Sequence, residues 1–222
     1  MPRNGHRAVR VWVTLVVLSG ALPGLAGEPG ADLSKPPEGA IVLFDGTDTS
    51  RWARGKTTDD GFLMAGAITK DKFRDCVLHL EFNMLPGPQG KRVSGNSGVY
   101  IQRRYEIQII NSHGRKPSKG GCGAIYQTKA PDENVARKLG QWQSYHITFR
   151  EPRWEGKKKI ANARISLVFN GVKVHDDVEV PRKTGHGRPE GPEPGPLYLQ
   201  HHGNKVVFRN IWLLPLKPSP TP

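Results

Sequence analysis

Hydrophobic and polar residues alternate along many short stretches of this 222-residue chain. The alternation has a period of two residues, which is typical of β-strands with one face in a core and the other turned outward. Eleven such runs are separated by Gly, Pro, Asn and Asp, at residues 40–44, 62–65, 76–84, 98–101, 105–110, 124–127, 143–150, 163–169, 172–180, 196–199 and 205–214. No long amphipathic helix is indicated. We therefore predict an all-β fold, a jelly-roll sandwich of two antiparallel sheets.

Two of these runs are followed by turn signals that predict hairpins. Asn170-Gly171 separates ARISLVF from VKVHDDV, and this dipeptide favours the tight turn of a two-residue hairpin loop. A second hairpin is expected near Arg103-Arg104, between GVYIQ and YEIQI. Two long loops rich in Gly and Pro, residues 86–96 and 181–195, are either flexible surface connections or the rim of a binding groove.

The beginning of the chain has the pattern of a secretory signal peptide. A basic start with Arg3, His6, Arg7 and Arg10 precedes an apolar run at 11–22 and a small-residue cleavage site at 24–26. We expect residues 1–26 to be removed on export to the periplasm or the exterior, with no stable membrane insertion afterwards. A Pro-rich lead at 27–38, a single domain at 39–216 and a disordered tail at 217–222 would follow.

The chain is strongly basic, but the pattern of charge does not indicate nucleic-acid binding. It has 33 Lys and Arg against 20 Asp and Glu, a net charge of +13, and loss of the three arginines at 1–26 leaves +10. The positive residues are scattered over turn-like segments, without a basic helix or interleaved aromatic residues. We expect no nucleic-acid partner. Cys76 and Cys122 could form a disulfide after export or remain as small buried thiols.

Polar side chains recur on the strand faces that point away from the predicted core. They are His79 and Glu81, Glu106 and Gln108, and Gln200 and His202. Carboxylate, amide and imidazole groups with fixed geometry match the hydroxyls of a sugar, each of which donates and accepts hydrogen bonds. Each of these residues could also be an ordinary exposed strand residue. Their co-occurrence favours a carbohydrate ligand.

The strand that begins at Tyr105 locally resembles the catalytic strand of β-sandwich glucanases, which reads Glu-x-Asp-x-x-Glu. Here the aligned residues are Glu106, Gln108 and Asn111, so the orienting and the second catalytic carboxylates are both amides. Retaining glycoside hydrolysis requires two carboxyl groups beside the scissile bond. The residue chemistry therefore disfavours an ordinary glycosidase.

A more extensive resemblance covers residues 39–216. The chain is similar to the 3-keto-disaccharide hydrolase family of the concanavalin A-like lectin/glucanase superfamily. The matching blocks are LFDGTDTSRW (43–52), ITK (68–70), DCVLHLEF (75–82), GNSGVYIQRRYEIQI (95–109), GCGAIYQTKAP (121–131), GQWQSYHITF (140–149), the Asn170-Gly171 turn and LYLQHHGNKVVFRNIWLLPL (197–216). Their order and spacing make the resemblance specific.

The resemblance implies a jelly-roll sandwich that cleaves glycosides whose third carbon has been oxidised to a ketone. Such a ketone acidifies the hydrogen on C2, so one base and one acid suffice for elimination of the C1 substituent, and water adds afterwards. Glu106 and His202 are the expected catalytic pair, with either one as the base. The expected substrate-binding groups are Asn96, Gln108, Tyr126, Gln200 and Asn204, with Glu81 as a reserve carboxylate.

Some assignments remain open at this stage. Family members usually carry Asp where this chain has His201, so the carboxylate that could orient the imidazole of His202 is replaced. Arg209 either stabilises an oxyanion or ties the last strand to a neighbour. Trp52, Trp142 and Trp212 are expected in the core or on the groove wall, core being favoured. No metal or cofactor is indicated. The competing function is a non-catalytic, lectin-like carbohydrate-binding module.

Overall fold

A computed structural model describes residues 1, 32–90 and 93–218, and the residues from Leu33 onward form one compact unit. Its secondary structure is almost entirely β. The described residues form twelve strands: β1 Ile41–Phe44, β2 Leu63–Met64, β3 Cys76–Met84, β4 Ser97–Ile101, β5 Tyr105–Ile109, β6 Gln143–Arg150, β7 Arg153–Glu155, β8 Lys158–Ala161, β9 Ala163–Phe169, β10 Val172–Val180, β11 Tyr198–Leu199 and β12 Val206–Pro215. One short 3-10 helix, Pro88–Gly90, lies between β3 and β4.

The strands form two principal antiparallel sheets, which confirms the predicted fold class. The larger sheet has the strand order β1-β12-β3-β6-β9-β10, with β2 paired to β12. The smaller sheet has the order β11-β4-β5. Long connections therefore carry the chain from one sheet to the other and back, as expected of a jelly roll.

The core lies between the two sheets and follows the alternation in the sequence. Along β3 the residues with even numbers are buried in it, and so are Val99, Ile107 and Ile109 of the smaller sheet. Phe82, Tyr145 and Phe169 pack in a row across the larger sheet, with successive ring centroids 4.7 and 4.9 Å apart. Each fully buried aromatic or aliphatic side chain stabilises the fold by roughly 1.5–3 kcal/mol.

Both predicted hairpins form, and one of them turns earlier than expected. Asn170 and Gly171 join β9 to β10 with positive φ angles of 50° and 85°, as a type I′ turn requires. Between β4 and β5 the positive φ angles fall on Gln102 and Arg103 instead, at 52° and 55°. The turn is closed by a hydrogen bond from the amide of Arg104 to the carbonyl of Ile101. Two non-glycine residues thus adopt a left-handed conformation there.

The sequence pattern missed one element and overcounted another. The hairpin of β7 and β8 lies in a stretch rich in lysine that carries no alternation of hydrophobic residues. Residues 124–127 were expected to form a strand but make only isolated bridges, from Ile125 to Lys129 and from Ile125 to Ile107 along the free edge of β5. The bridge to Ile107 still places the segment beside the smaller sheet, which matters for the site below.

The remaining structural expectations concern the cysteines and the termini. Cys76 and Cys122 are separate, buried free thiols, and the thiol of Cys122 lies 3.2 Å from the hydroxyl of Tyr145. Within the described ranges no helix is long and apolar enough to cross a membrane. The predicted signal peptide apart from residue 1, the first part of the Pro-rich lead (27–31) and the end of the tail (219–222) lie outside the described residues.

Candidate active site

A row of polar aromatic residues and one carboxylate crosses the outer face of the smaller sheet. Tyr100 on β4 pairs with Glu106 on β5 and, on its other side, with Tyr198 on β11. The amide of Tyr126 donates to the carbonyl of Glu106, so Tyr126 extends the row along the free edge of β5. The adjacent positions Val99 and Ile107 face the core. By the period of two, this row faces away from the core.

A second row lies two residues further along the same face. Gln108 pairs with Gly98, and the amide of Gln200 donates to the carbonyl of Gly98 at 2.8 Å. Gly98 leaves space that the carboxyl of Glu106 occupies, because a Cβ at this position would lie 2.3 Å from Glu106 Oε1. Because Gly98 has no side chain, the carboxyl group of Glu106 can lie over its Cα.

Glu106 is a buried carboxyl with few neutralising partners, and only 2% of the residue is exposed. The hydroxyl of Tyr100 donates a hydrogen bond to Glu106 Oε2 at 2.6 Å. Burial raises the pKa of Glu106 to about 7, although the Tyr100 hydrogen bond and the charge of His202 act in the opposite direction. A carboxyl with such a pKa exchanges protons readily at neutral pH, as general acid–base catalysis requires.

The loop at residues 181–195 covers Glu106. The amide of Glu106 donates to Thr184 Oγ1 at 2.6 Å, and the amide of Thr184 donates to the carbonyl of Arg104. Gly185 lies against the Glu106 carboxyl and the ring of Tyr126. The loop is therefore packed against β5 beside the Glu106 carboxyl, whereas its role as the rim of a binding groove stays a prediction.

Two buried hydrogen bonds hold the site against the rest of the sandwich. The hydroxyl of Tyr145 on β6 donates to the carbonyl of Gln108 at 2.6 Å, which connects β5 to the larger sheet. His175 Nε2 on β10 lies 2.8 Å from the carbonyl of Gly123, and burial lowers the pKa of this imidazole. The ring is therefore neutral and donates its Nε2 proton. The segment that carries Tyr126 is fixed by this bond.

The other predicted site residues at this end of the sheet lie on loops. His202 is exposed on the loop after β11, close enough for its charge to affect the pKa of Glu106. Asn204 donates to the carbonyl of His202 and accepts from the hydroxyl of Ser94, so this loop adjoins the loop that carries Asn96. The structure thus brings His202, Asn204 and Asn96 to the same end of the smaller sheet, beside Gln108 and Gln200.

Glu81 does not join this site. It lies on β3 at a position that alternates with the core residues, and therefore on the outer face of the larger sheet, on the other side of the sandwich from Glu106. Its carboxylate accepts from Arg209 Nε at 2.7 Å and from Asn210 Nδ2 at 3.0 Å. The reserve role for Glu81 is thus corrected, because alternation shows that a residue is outside the core but not which sheet carries it.

The structure also decides between the alternatives for Arg209 on the larger sheet and for two of the tryptophans, Trp52 and Trp212. The guanidinium of Arg209 lies 4.1 Å from the ring centroid of Trp142, so it ties β12 to its neighbours rather than facing Glu106. Trp52 belongs to the core. Trp212 is buried and stacks on His79, with ring centroids 5.3 Å apart.

Sequence reasoning missed three residues that shape the site: Tyr100, Tyr198 and Thr184. The pairing of β4 with β5 could have identified Tyr100, because it lies opposite Glu106 when the hairpin is drawn in register. Tyr198 is found through its pairing with Tyr100 across β11. Nothing in the sequence indicates that Thr184 reaches the backbone of Glu106, 78 residues away.

Within the part of the chain that the structure describes, no group of three or more His, Cys, Asp or Glu residues could hold a metal ion. The face instead offers one carboxyl that titrates near neutral pH, an imidazole, two amides and three phenol rings. Aromatic rings can pack against the apolar faces of a pyranose, while the amides and hydroxyls bind its polar edges. These are the features of a carbohydrate site on a β-sandwich.

Comparisons with known proteins agree with this class. Residues 39–214 match the model of the 3-keto-alpha-glucoside-1,2-lyase-like domain, and the chain belongs to this family. The resemblance noted in the sequence is thereby confirmed. A comparison with functionally curated proteins gives no significant match.

Solved structures of Parabacteroides distasonis ATCC 8503 proteins, described provisionally as glycosyl hydrolases, share the fold. One is 30% identical, with a TM-score of 0.72, over 81% of this chain and 85% of the other. Another is 26% identical, with a TM-score of 0.55, over 80% of this chain and 99% of the other. A third, 18% identical with a TM-score of 0.60 over 81% of this chain and 95% of the other, resembles it in fold. The chain is a carbohydrate-acting β-sandwich domain.

Proposed function

We propose that this protein cleaves 3-keto-glycosides by base-assisted elimination followed by hydration. The observation that carries the proposal is the buried Glu106, which has a pKa of about 7, accepts a hydrogen bond from Tyr100 and is affected by the charge of His202. Gln108, the next residue on the same face of β5, is an amide. This strand therefore offers a single acid–base carboxyl, which suits elimination better than a two-carboxylate displacement.

The chemistry requires the substrate itself to stabilise the negative charge. With a ketone at C3, removal of the C2 proton places the electron pair in an enolate. The pair then forms the C1–C2 double bond as the C1–O bond breaks, and a proton goes to the departing oxygen. Addition of water across the double bond gives the free 3-keto sugar, so the net reaction is hydrolysis without a glycosyl-enzyme.

Each step can be assigned to a residue of the site. Glu106 removes the C2 proton, because it is the buried carboxyl on this face and its pKa lies close to neutral pH. His202, on the exposed rim, protonates the leaving oxygen, where the second sugar or another aglycone would extend into solvent. Tyr126 and Gln108 provide hydroxyl and amide donors for the enolate oxygen and the ring hydroxyls.

The decisive experiment offers the purified protein a 3-keto-glucoside and the matching unoxidised glucoside, and follows release of the aglycone. We expect turnover of the ketone alone, with transient formation of an unsaturated intermediate that absorbs in the ultraviolet. Equal cleavage of both substrates would contradict the elimination mechanism. Saturable binding of both sugars without turnover would instead support a lectin-like module.

We also propose that the protein acts after export, on sugars in the periplasm or outside the cell. The basis is the succession of a basic start, an apolar run and a small-residue cleavage site at residues 1–26. Mass spectrometry of the exported protein should find an amino terminus near Gly27. A full-length product recovered from the cytoplasm would contradict this proposal.

A further inference from the structure

Three successive residues of the loop at 181–195 contact the acid–base site. Thr184 accepts a hydrogen bond from the amide of Glu106 through its hydroxyl. Gly185 is packed against Glu106 Oε2, since a Cβ there would lie 3.2 Å from that oxygen. The backbone amide of His186 lies close enough to the phenol of Tyr100 to act on its pKa, in the direction opposite to the larger effect of burial. This short turn therefore covers the carboxyl group and its hydrogen-bond donor together.

One lysine from the β7–β8 hairpin adds to the backbone hydrogen bonds that hold the loop in this position, such as the one from the amide of Thr184 to the carbonyl of Arg104. Lys159 Nζ donates to the carbonyl of Pro181 at 2.5 Å and to Glu190 Oε2 at 2.8 Å. The hydroxyl of Tyr105 donates to Glu190 Oε1 at 2.5 Å. The ammonium group of Lys159 thus binds both the first residue of the loop, Pro181, and Glu190 in the middle of the loop. Tyr105, next to Glu106 on β5, binds Glu190 as well.

This ion pair differs from an exposed surface pair. The side chains of Lys159 and Glu190 are 21% and 13% exposed, and Tyr105 satisfies the second carboxylate oxygen. Exposed pairs contribute little, because solvent screens them and ordering two long side chains costs entropy. Removing one partner of a partly buried, hydrogen-bonded pair leaves the other without compensation and disturbs the backbone that it holds.

A second attachment keeps the loop close even when the pair is broken. The guanidinium of Arg104 donates to the carbonyls of Pro189 and Glu193 at 3.1 and 2.8 Å. Loss of the Lys159–Glu190 pair should therefore loosen residues 181–190 without releasing the whole loop. The result would be more water at Glu106 and not a collapsed site.

We propose that Lys159 and Glu190 are positioning residues for proton transfer, because their ion pair holds the turn at 184–186 over Glu106 and keeps water away from its carboxyl group. The two residues touch neither Glu106 nor the substrate and act through the loop. The inference rests on the proposed function, in which Glu106 is the base.

The direction of the effect follows from the groups around Glu106. Those that face it are Tyr100 from β4, Tyr126 from the segment beside β5 and His202 from the loop after β11. Tyr100 and His202 act to lower the pKa of Glu106, and burial raises it by more. Water admitted by a loosened loop stabilises the ionised carboxylate. Breaking the clamp formed by the Lys159–Glu190 ion pair should lower the pKa of Glu106 toward 4.5, its ordinary value.

The test uses Glu190→Gln, which keeps the shape and removes the charge, and Lys159→Met, which keeps the aliphatic stem. Lys159→Arg restores a cation and should restore the parent behaviour. Lys173→Met is the matched control, because it breaks the exposed Lys173–Asp176 pair on β10. In Glu190→Gln and Lys159→Met we expect the acidic limb of the kcat/KM profile to move to lower pH by roughly one unit, with kcat affected more than KM.

A second readout measures Glu106 directly. In protein labelled with ¹³C at the glutamate carboxyl carbons, the Glu106 resonance is the one absent from Glu106→Gln, and its titration gives the pKa independently of any substrate. An unchanged titration in both folded clamp variants would overturn the inference. If the pKa of Glu106 is lower in Glu190→Gln and Lys159→Met than in the parent, but the parent does not cleave the 3-keto substrate, the role of the ion pair is upheld and the proposed function is refuted.

Discussion

Glu106 illustrates how much one residue depends on neighbours that are distant in sequence. The period of two places it outside the core, and yet it is nearly inaccessible because the loop at 181–195 lies over it. An exposed glutamate on the same strand would be ionised at neutral pH and would be a weak base. The combination of a strand position outside the core and a loop that covers the carboxyl raises its pKa, which suits the acid–base role proposed for this residue.

Substitution of the two proposed catalytic groups provides the first prediction. Glu106→Gln and His202→Ala should each lower kcat on a 3-keto-glucoside by about 10²–10⁴-fold, the usual cost of losing a general base or acid. His201→Ala is the matched control, since this neighbouring histidine is also exposed and its Cβ lies near Gly66. Near-normal activity of both catalytic variants, measured by aglycone release, would exclude the assignment.

Gly98 provides a second prediction at the same scale. A methyl group at this position would lie 2.3 Å from Glu106 Oε1, so the carboxyl must move in Gly98→Ala. We expect a loss of at least tenfold in kcat, because small misplacements of a catalytic group are costly. Gly120→Ala is the control, since its nearest neighbour would be 4.0 Å away, on the ring of Tyr126. Equal activity of the two variants would show that the position of the carboxyl is not constrained by Gly98.

Among the elements, the strands of the larger sheet could be predicted best and the loops least. β3, β6 and β9 have the predicted bounds, because each places alternate residues in the core and ends at a turn signal. β10 also has the predicted bounds, although irregular pairing with β9 interrupts its alternation. The β7–β8 hairpin lacks such a face and escaped detection. The contacts of residues 181–195 are long-range hydrogen bonds and ion pairs, which leave no periodic trace in the sequence. The strand that carries Glu106 and Gln108 could be predicted from the sequence, whereas the position of the loop at 181–195 over Glu106 could not.

The β9–β10 hairpin yields a prediction about stability. Asn170 has a positive φ of 50°, its Oδ1 accepts from the amide of Ser144, and its Nδ2 donates to the carbonyl of Val135. Asn170→Ala loses both bonds and strains the turn, so the free energy of unfolding should fall by about 2–3 kcal/mol. Asn170→Gly loses the same bonds, but glycine adopts a positive φ without strain, so the free energy of unfolding should fall by less. Denaturant unfolding measures both, and an equal cost would show that the turn conformation carries no strain.

In the molecule as a whole, the two outer faces of the sandwich differ in how their polar groups are satisfied. The outer face of the larger sheet satisfies its polar groups internally, as the contacts of Glu81 with Arg209 and Asn210 show. The smaller sheet leaves a carboxyl with a raised pKa under a loop. Because the charged form of a buried group costs free energy, ionisation of Glu106 lowers the stability of the whole fold as the pH rises through about 7.

This cost leads to a prediction about stability and pH. The folded pKa of Glu106, about 7, lies above its ordinary value of 4.5, so the folded protein binds more protons than the unfolded chain between these values. The contribution of Glu106 to stability is therefore fully present below about pH 4.5 and is lost as the pH rises through 7. The loss amounts to at most about 3 kcal/mol, from 1.36 kcal/mol per unit of pKa.

Glu106→Gln mimics the protonated acid and should escape this loss. The free energy of unfolding of the variant, minus that of the parent, should rise by about 2 kcal/mol between pH 5 and pH 8, because the variant has no carboxyl to ionise. Other titrating groups, such as His146, whose pKa burial lowers to about 4, are present in both proteins and cancel in the difference. Glu155→Gln, at an exposed position of β7, is the control and should show no such trend. Denaturant unfolding of Glu106→Gln and of the parent measures this difference in the free energy of unfolding. If the difference stays constant from pH 5 to pH 8, Glu106 is already ionised in the folded protein at pH 5. The proposed base would then lack the raised pKa on which its role depends.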